Sequence, residues 1–189
     1  PMELTRRDAL AALASAGVVG GGSAAVLARE RRDGTDRPTG DRDRDRNRET
    51  PDGTLPDALV ATAEVVYPSE VSGVPEFVRA YSLGRFEARP DYREGVRDAV
   101  DELEEHARAW YGEGYTALDR GSREELLRSM GVHSAEEDPV GTAAERVRFY
   151  VVNELLFALY TSPAGGRLVG IENPQGHPGG TGSYRRGPR

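Results

Sequence analysis

The stretch from Phe149 to Tyr160 constrains the whole chain: among its twelve positions only Asn153 and Glu154 interrupt apolar or aromatic side chains. A helix that is apolar nearly all round is buried on most of its sides, and this one is too short to cross a bilayer. It belongs at the centre of a packed body, with other helices around it. Burying each large side chain contributes about 1.5–3 kcal/mol, so a helix from Thr142 to Tyr160 is expected to dominate the core. Glu154 is the exception, because a carboxylate taken out of water needs a partner. The abundant arginines could supply one, or the residue could face a second subunit.

The flanking text supplies the other helices. Leu55–Tyr67 carries Leu59, Ala63 and Val66 on one face, with Pro56 in the first turn and Pro68 at the end. A short helix starts at Gly73-Val74-Pro75 and buries Phe77, Val78 and Tyr81, ending before Gly84. From Pro90 to Tyr111, residues Tyr92, Val96, Val100, Leu103, Ala107 and Trp110 recur every three or four positions. That spacing predicts one core-facing stripe, with Gly112 closing the helix. Ser122-Arg123-Glu124-Glu125 has the form of a capping box, followed by Leu126, Leu127 and Met130. No stretch shows the two-residue alternation of a strand. The expected fold is all-α, an irregular bundle of about five helices over residues 54–161.

The two ends read differently. Thr5-Arg6-Arg7-Asp8 precedes a soft apolar stretch rich in Ala and Gly, which marks residues 1–28 as an export signal or anchor of the twin-arginine type. Arg6 and Arg7 are its recognition residues. Uncleaved, the segment would attach the chain to a membrane, so an extracytoplasmic, membrane-associated or cell-surface location is expected. Residues 29–53, with the Asp-Arg alternation of Asp41 to Arg46, have too little apolar surface to offset the entropy of ordering and are expected to form a disordered spacer. Residues 162–189 are Gly- and Pro-rich and read as an irregular closing segment.

Charge and composition exclude several functions. All 25 basic residues are arginine, set against 32 acids, for a net charge of −7. The whole excess lies after residue 53, which argues against nucleic-acid binding and fits a halophile's protein kept soluble by surface charge. Without cysteine there is no disulfide, thiolate metal site, iron–sulfur cluster or covalent haem attachment. The three histidines point to no metal: His106 lies beside a polar helix face, His133 follows a helix stop near Glu136, Glu137 and Asp138, and His177 sits between Gly176 and Pro178. No nucleophile elbow, phosphate loop or dinucleotide fingerprint is present. Nothing here makes the chain an enzyme on its own, and no cofactor is expected in it.

The twin-arginine leader, the Gly73-Val74-Pro75-Glu76-Phe77 helix start, the run Tyr160-Thr161-Ser162-Pro163-Ala164-Gly165-Gly166 and the close Asn173-Pro174-Gln175-Gly176-His177-Pro178 occur in one order. In this the chain resembles the gluconate 2-dehydrogenase subunit 3 family over roughly residues 54–180. The resemblance implies a small non-catalytic subunit that matures and is co-exported with a large FAD-bearing dehydrogenase of the glucose–methanol–choline type, acting on sugars, sugar acids or alcohols. In some members a cytochrome subunit joins them. The central helix and closing loop then place the partner interface at Asn153, Glu154, Tyr160, Pro163, Gly165, Gly166, Asn173, Pro174, His177 and Pro178. The alternative is a self-standing, surface-anchored helical binding protein with no redox partner.

Overall fold

The computed structural model describes residues 2–17 and 54–170. The expected spacer, and Asn173, Pro174, His177 and Pro178 of the expected interface, lie outside the described residues. What is described is helical: α1 (Arg6–Ser15), α2 (Thr54–Val66), α3 (Val74–Ala88), α4 (Pro90–Tyr111), α5 (Arg120–Ser129), α6 (Ala143–Val147), α7 (Glu154–Thr161) and α8 (Pro163–Leu168). A π-helical segment, Arg148–Asn153, joins α6 to α7 into the single central helix that the sequence predicts. All five expected helices are present, and α1 and α8 join them.

Among the described residues the only sheet is a parallel pair, β1 (Met2–Glu3) against β2 (Val71–Ser72), with Met2 opposite Val71. Sequence periodicity could not reveal it, since two residues per strand show no alternation.

Local chemistry explains the helix ends. Thr142 caps α6 in a capping box: its hydroxyl takes the Glu145 amide, and the Glu145 carboxylate takes the Thr142 amide at 2.7 Å. α4 ends on Gly112, in the left-handed conformation with φ of 76°. The box expected at Ser122 is corrected. α5 is capped three residues earlier, by Asp119, whose carboxylate accepts from the Ser122 amide at 3.1 Å and the Ser122 hydroxyl at 2.8 Å. Asp and Ser are both good caps, and the one further upstream gains an extra turn.

Two other expectations shift. α3 runs on to Ala88 instead of stopping before Gly84, because Leu13 of α1 packs on that glycine and burial there outweighs its poor helix propensity. The α4 stripe holds at Val96, Val100, Leu103 and Ala107, all buried, but Trp110 is half exposed and meets His106 edge-on at 5.3 Å.

The largest difference concerns the N-terminus. The packed body was expected from residue 54 onward, yet α1 lies against α3, α7 and α8, and Leu4, Ala9, Ala12 and Leu13 belong to the same core as the central helix.

Candidate partner-binding surface

The central helix has two contrasting flanks. On the inner one, Glu154 meets three donors. Tyr81 donates to Oε1 at 2.6 Å, Tyr92 to Oε2 at 2.8 Å, and the Arg85 guanidinium lies 2.7 Å from Oε1 through Nε and 3.4 Å from Oε2 through Nη2. The Nε contact is one of charge, since its N–H is not aligned for a hydrogen bond. The Arg85 guanidinium also lies 5.0 Å from the centre of the Tyr92 ring. At the next residue, Tyr67 donates to the Leu155 carbonyl at 2.7 Å.

The side chains of Arg85 and Glu154 are only 10% and 14% exposed. Burial, and after it the Glu154 carboxylate, pushes the Tyr81 and Tyr92 phenols far above the ordinary tyrosine range. Both stay neutral donors at any physiological pH. Burial works against the Arg85 charge, but the Glu154 carboxylate beside it holds the guanidinium above its ordinary value. This is a closed group with all its chemistry spent inward. The sequence left two partners open for Glu154, and the structure supplies the arginine within the chain.

The outer flank is open. Val65 and Val66 at the end of α2, Leu127 of α5, Val132, Val152 and Leu156 line a cleft of about 330 Å³, and Glu124, Arg128, His133 and Arg148 stand at its rim. That volume falls at the small end of the range for binding sites, roughly 300–1,000 Å³. Arg128 is committed to Glu124 at 2.6 Å and Glu125 at 2.8 Å. The Arg148 side chain has no hydrogen bond or ion pair among the described residues. Just beyond the cleft on the same helix, Phe157 and Tyr160 are each 40% exposed.

The residues expected at an interface separate across these flanks. Tyr160 lies on the open one. Asn153 is half-buried and donates through its amide to Glu137. Glu154 lies inside the polar group. Pro163, Gly165 and Gly166 are not in a loop: they form the first turns of α8, where Ser162 caps the Gly165 amide at 2.9 Å and both glycines are buried. Proline is welcome in a first turn, a point that the Gly/Pro count over residues 162–189 hid. The cleft residues went unnoticed in the sequence, because they come from four separate segments and each alone reads as core. His133 stands at the rim, and His106 takes or gives a 2.7 Å hydrogen bond with the Glu102 carbonyl. Among the described residues no group of His, Asp and Glu is placed to hold a metal ion.

A family model described as gluconate 2-dehydrogenase subunit 3 matches residues 57–179. The chain belongs to that family. The match begins within α2 and covers the cleft, the inner polar group and the closing segment, while α1 precedes it. Neither the curated proteins nor the solved structures contain a match. The family's name is that of a subunit of a dehydrogenase, and the all-α fold of the described residues among those matched, 57–170, agrees with the resemblance seen in the sequence.

Proposed function

We propose that the chain is the non-catalytic accessory subunit of a flavin-dependent dehydrogenase acting on sugars, sugar acids or alcohols. Its catalytic partner is a large FAD-bearing subunit of the glucose–methanol–choline type, with a cytochrome subunit in some assemblies. The observation that carries this reading is the family match over residues 57–179. Two features support it. The chain presents an open apolar cleft, and Phe157 and Tyr160 of the same helix are exposed, as suits a subunit docking face. Among the described residues the buried Glu154, Arg85, Tyr81 and Tyr92 are engaged with each other.

Docking uses the outer flank of the central helix, with Leu156, Phe157 and Tyr160 as apolar anchors and Arg148 meeting a carboxylate of the partner. The Thr5-Arg6-Arg7 start supports export of the folded pair by the twin-arginine route, with the small subunit helping the large one mature. Among the described residues no helix is long and apolar enough to cross a membrane.

The test is purification of the tagged full chain from its own cells under native conditions, in their own salt. A co-purifying large subunit with flavin absorbance is expected. A lone, colourless, stably folded protein would overturn the complex and favour a self-standing surface protein.

A further inference from the structure

We propose that the Met2–Gly17 segment, which the sequence marks as the start of an export signal, is a retained part of the working fold, held in a groove of α3, α7 and α8 that is shaped to receive it.

The docking is built from both sides. At the start, the Met2 amide donates to the Glu70 carbonyl at 2.9 Å, the Leu4 amide to the Ser72 carbonyl at 2.8 Å, and the Ser72 hydroxyl to the Met2 carbonyl at 3.3 Å. Leu4 is then fully covered. Along the helix, Ala9, Ala12 and Leu13 are buried, while Arg6, Arg7 and Leu10 face outward. Asp8 does two jobs. One carboxylate oxygen takes the Thr5 amide at 2.9 Å and the Thr5 hydroxyl at 2.6 Å, closing the segment's own capping box. The other accepts the Ala164 amide at 3.2 Å, at the start of α8.

The receiving surface is cut to fit. A Cβ on Gly73, whose φ is 75°, would sit 2.1 Å from the Leu4 carbonyl oxygen. A Cβ on Gly84 would sit 2.6 Å from Leu13 Cδ1. Backbone therefore approaches backbone at one point, and Leu13 beds onto bare helix at the other. The small apolar residues that make the leader a soft hydrophobic region also let α1 lie close against α3. Removing the segment would strip apolar cover from α3 and α7 and take the Asp8 acceptor from the Ala164 amide, both of which cost stability. The arginine pair stays exposed throughout, so a receptor can read it while the alanine face remains docked.

This inference is independent of which complex the chain joins, and its test leaves that reading untouched. The full chain is purified from its own cells and its N-terminal peptides are identified by mass spectrometry. Peptides carrying Ala9–Leu13 are expected in the same proportion as peptides from α4. Hydrogen exchange on the same sample should show the amides of Ala12 and Leu13 slowed at least 100-fold relative to a free peptide. A folded protein that begins after Ala28, or free-peptide exchange at those amides, would overturn the proposal. Leu13→Asp should release the protection and lower the thermal midpoint by several degrees, and Leu10→Asp, on the outward face, should do neither. Equal effects of the two substitutions would also overturn it. If Leu13→Asp does not fold, exchange on the unaltered chain still decides the matter.

Discussion

The inner and outer flanks of the central helix are separated by one or two residues in sequence and are opposite in character. On the inner flank a carboxylate, a guanidinium and two phenols satisfy each other out of water. On the outer flank aliphatic side chains line an open cleft, and a guanidinium at its rim has no partner among the described residues. The first arrangement stabilises this chain in one geometry. The second leaves apolar area and a charge that the other described residues do not use. The buried charge within the apolar helix is answered here from within the chain; the docking face proposed above uses ordinary Leu, Phe and Tyr on the other side.

The sharpest way to break this contrast is to remove Glu154. Glu154→Ala leaves Arg85 buried without a counter-charge and is expected to destabilise the fold by about 3–5 kcal/mol, measured by urea unfolding. A change below about 1 kcal/mol would mean that the group is less closed than its distances show. Next in size, Tyr81→Phe removes one donor to the carboxylate and should cost about 1.5–3 kcal/mol, as expected for a hydrogen bond to a charged group. On the outer flank the expectation reverses. The double change Phe157→Ala and Tyr160→Ala should shift stability by about 0.5 kcal/mol or less per site, as is usual for exposed positions. The same change should weaken co-purification of the partner at least tenfold. Stability and binding lost together would merge the two flanks into one.

The smallest expected effect is a titration. The Thr142 amide, and then its hydroxyl, hold the Glu145 carboxyl below the ordinary carboxylate range. A carboxyl depressed in the folded state stabilises it above the unfolded pKa, and that contribution fades as pH falls through the folded value. Carbon-detected NMR of Glu145 should therefore show a lower pKa in the native chain than in Thr142→Ala. Identical values would remove the capping box from the account of α6.

How much of this the sequence disclosed depended on whether the cause was local. The α4 stripe and the central helix follow from spacing and composition, and both helices were expected at nearly their observed limits. An arginine partner for Glu154 could be foreseen from its burial, but not that Arg85 supplies it, since 69 residues separate the two. Two signals misled. The Ala/Gly composition of the leader suits an export route and also suits close helix packing, and sequence alone does not weigh the second use. The proline and glycines after Ser162 suggest a loop when counted, yet in order they read Ser cap, Pro in the first turn, then buried glycines with Gly165 packed close to Leu159. The cleft was invisible for a different reason: its floor is assembled only by tertiary packing.

The wide π turn at Arg148–Asn153 is what keeps the two flanks apart. An α-helix advances its side chains by about 100° per residue, and a single-turn π segment amounts to one extra residue inserted without breaking the rod. Upstream, Thr142–Val147 is phased against α4; downstream, the same helix is phased so that Glu154 finds Arg85 while Leu156 looks the other way. Were these same residues wound as uniform α-helix, everything after them would be rotated by about that angle. Glu154 would swing away from its donors, and the aliphatic wall of the cleft would turn into the core. The winding of the helix at this point, more than the identity of any side chain in it, decides which face of the helix is kept for the core and which lines the open cleft.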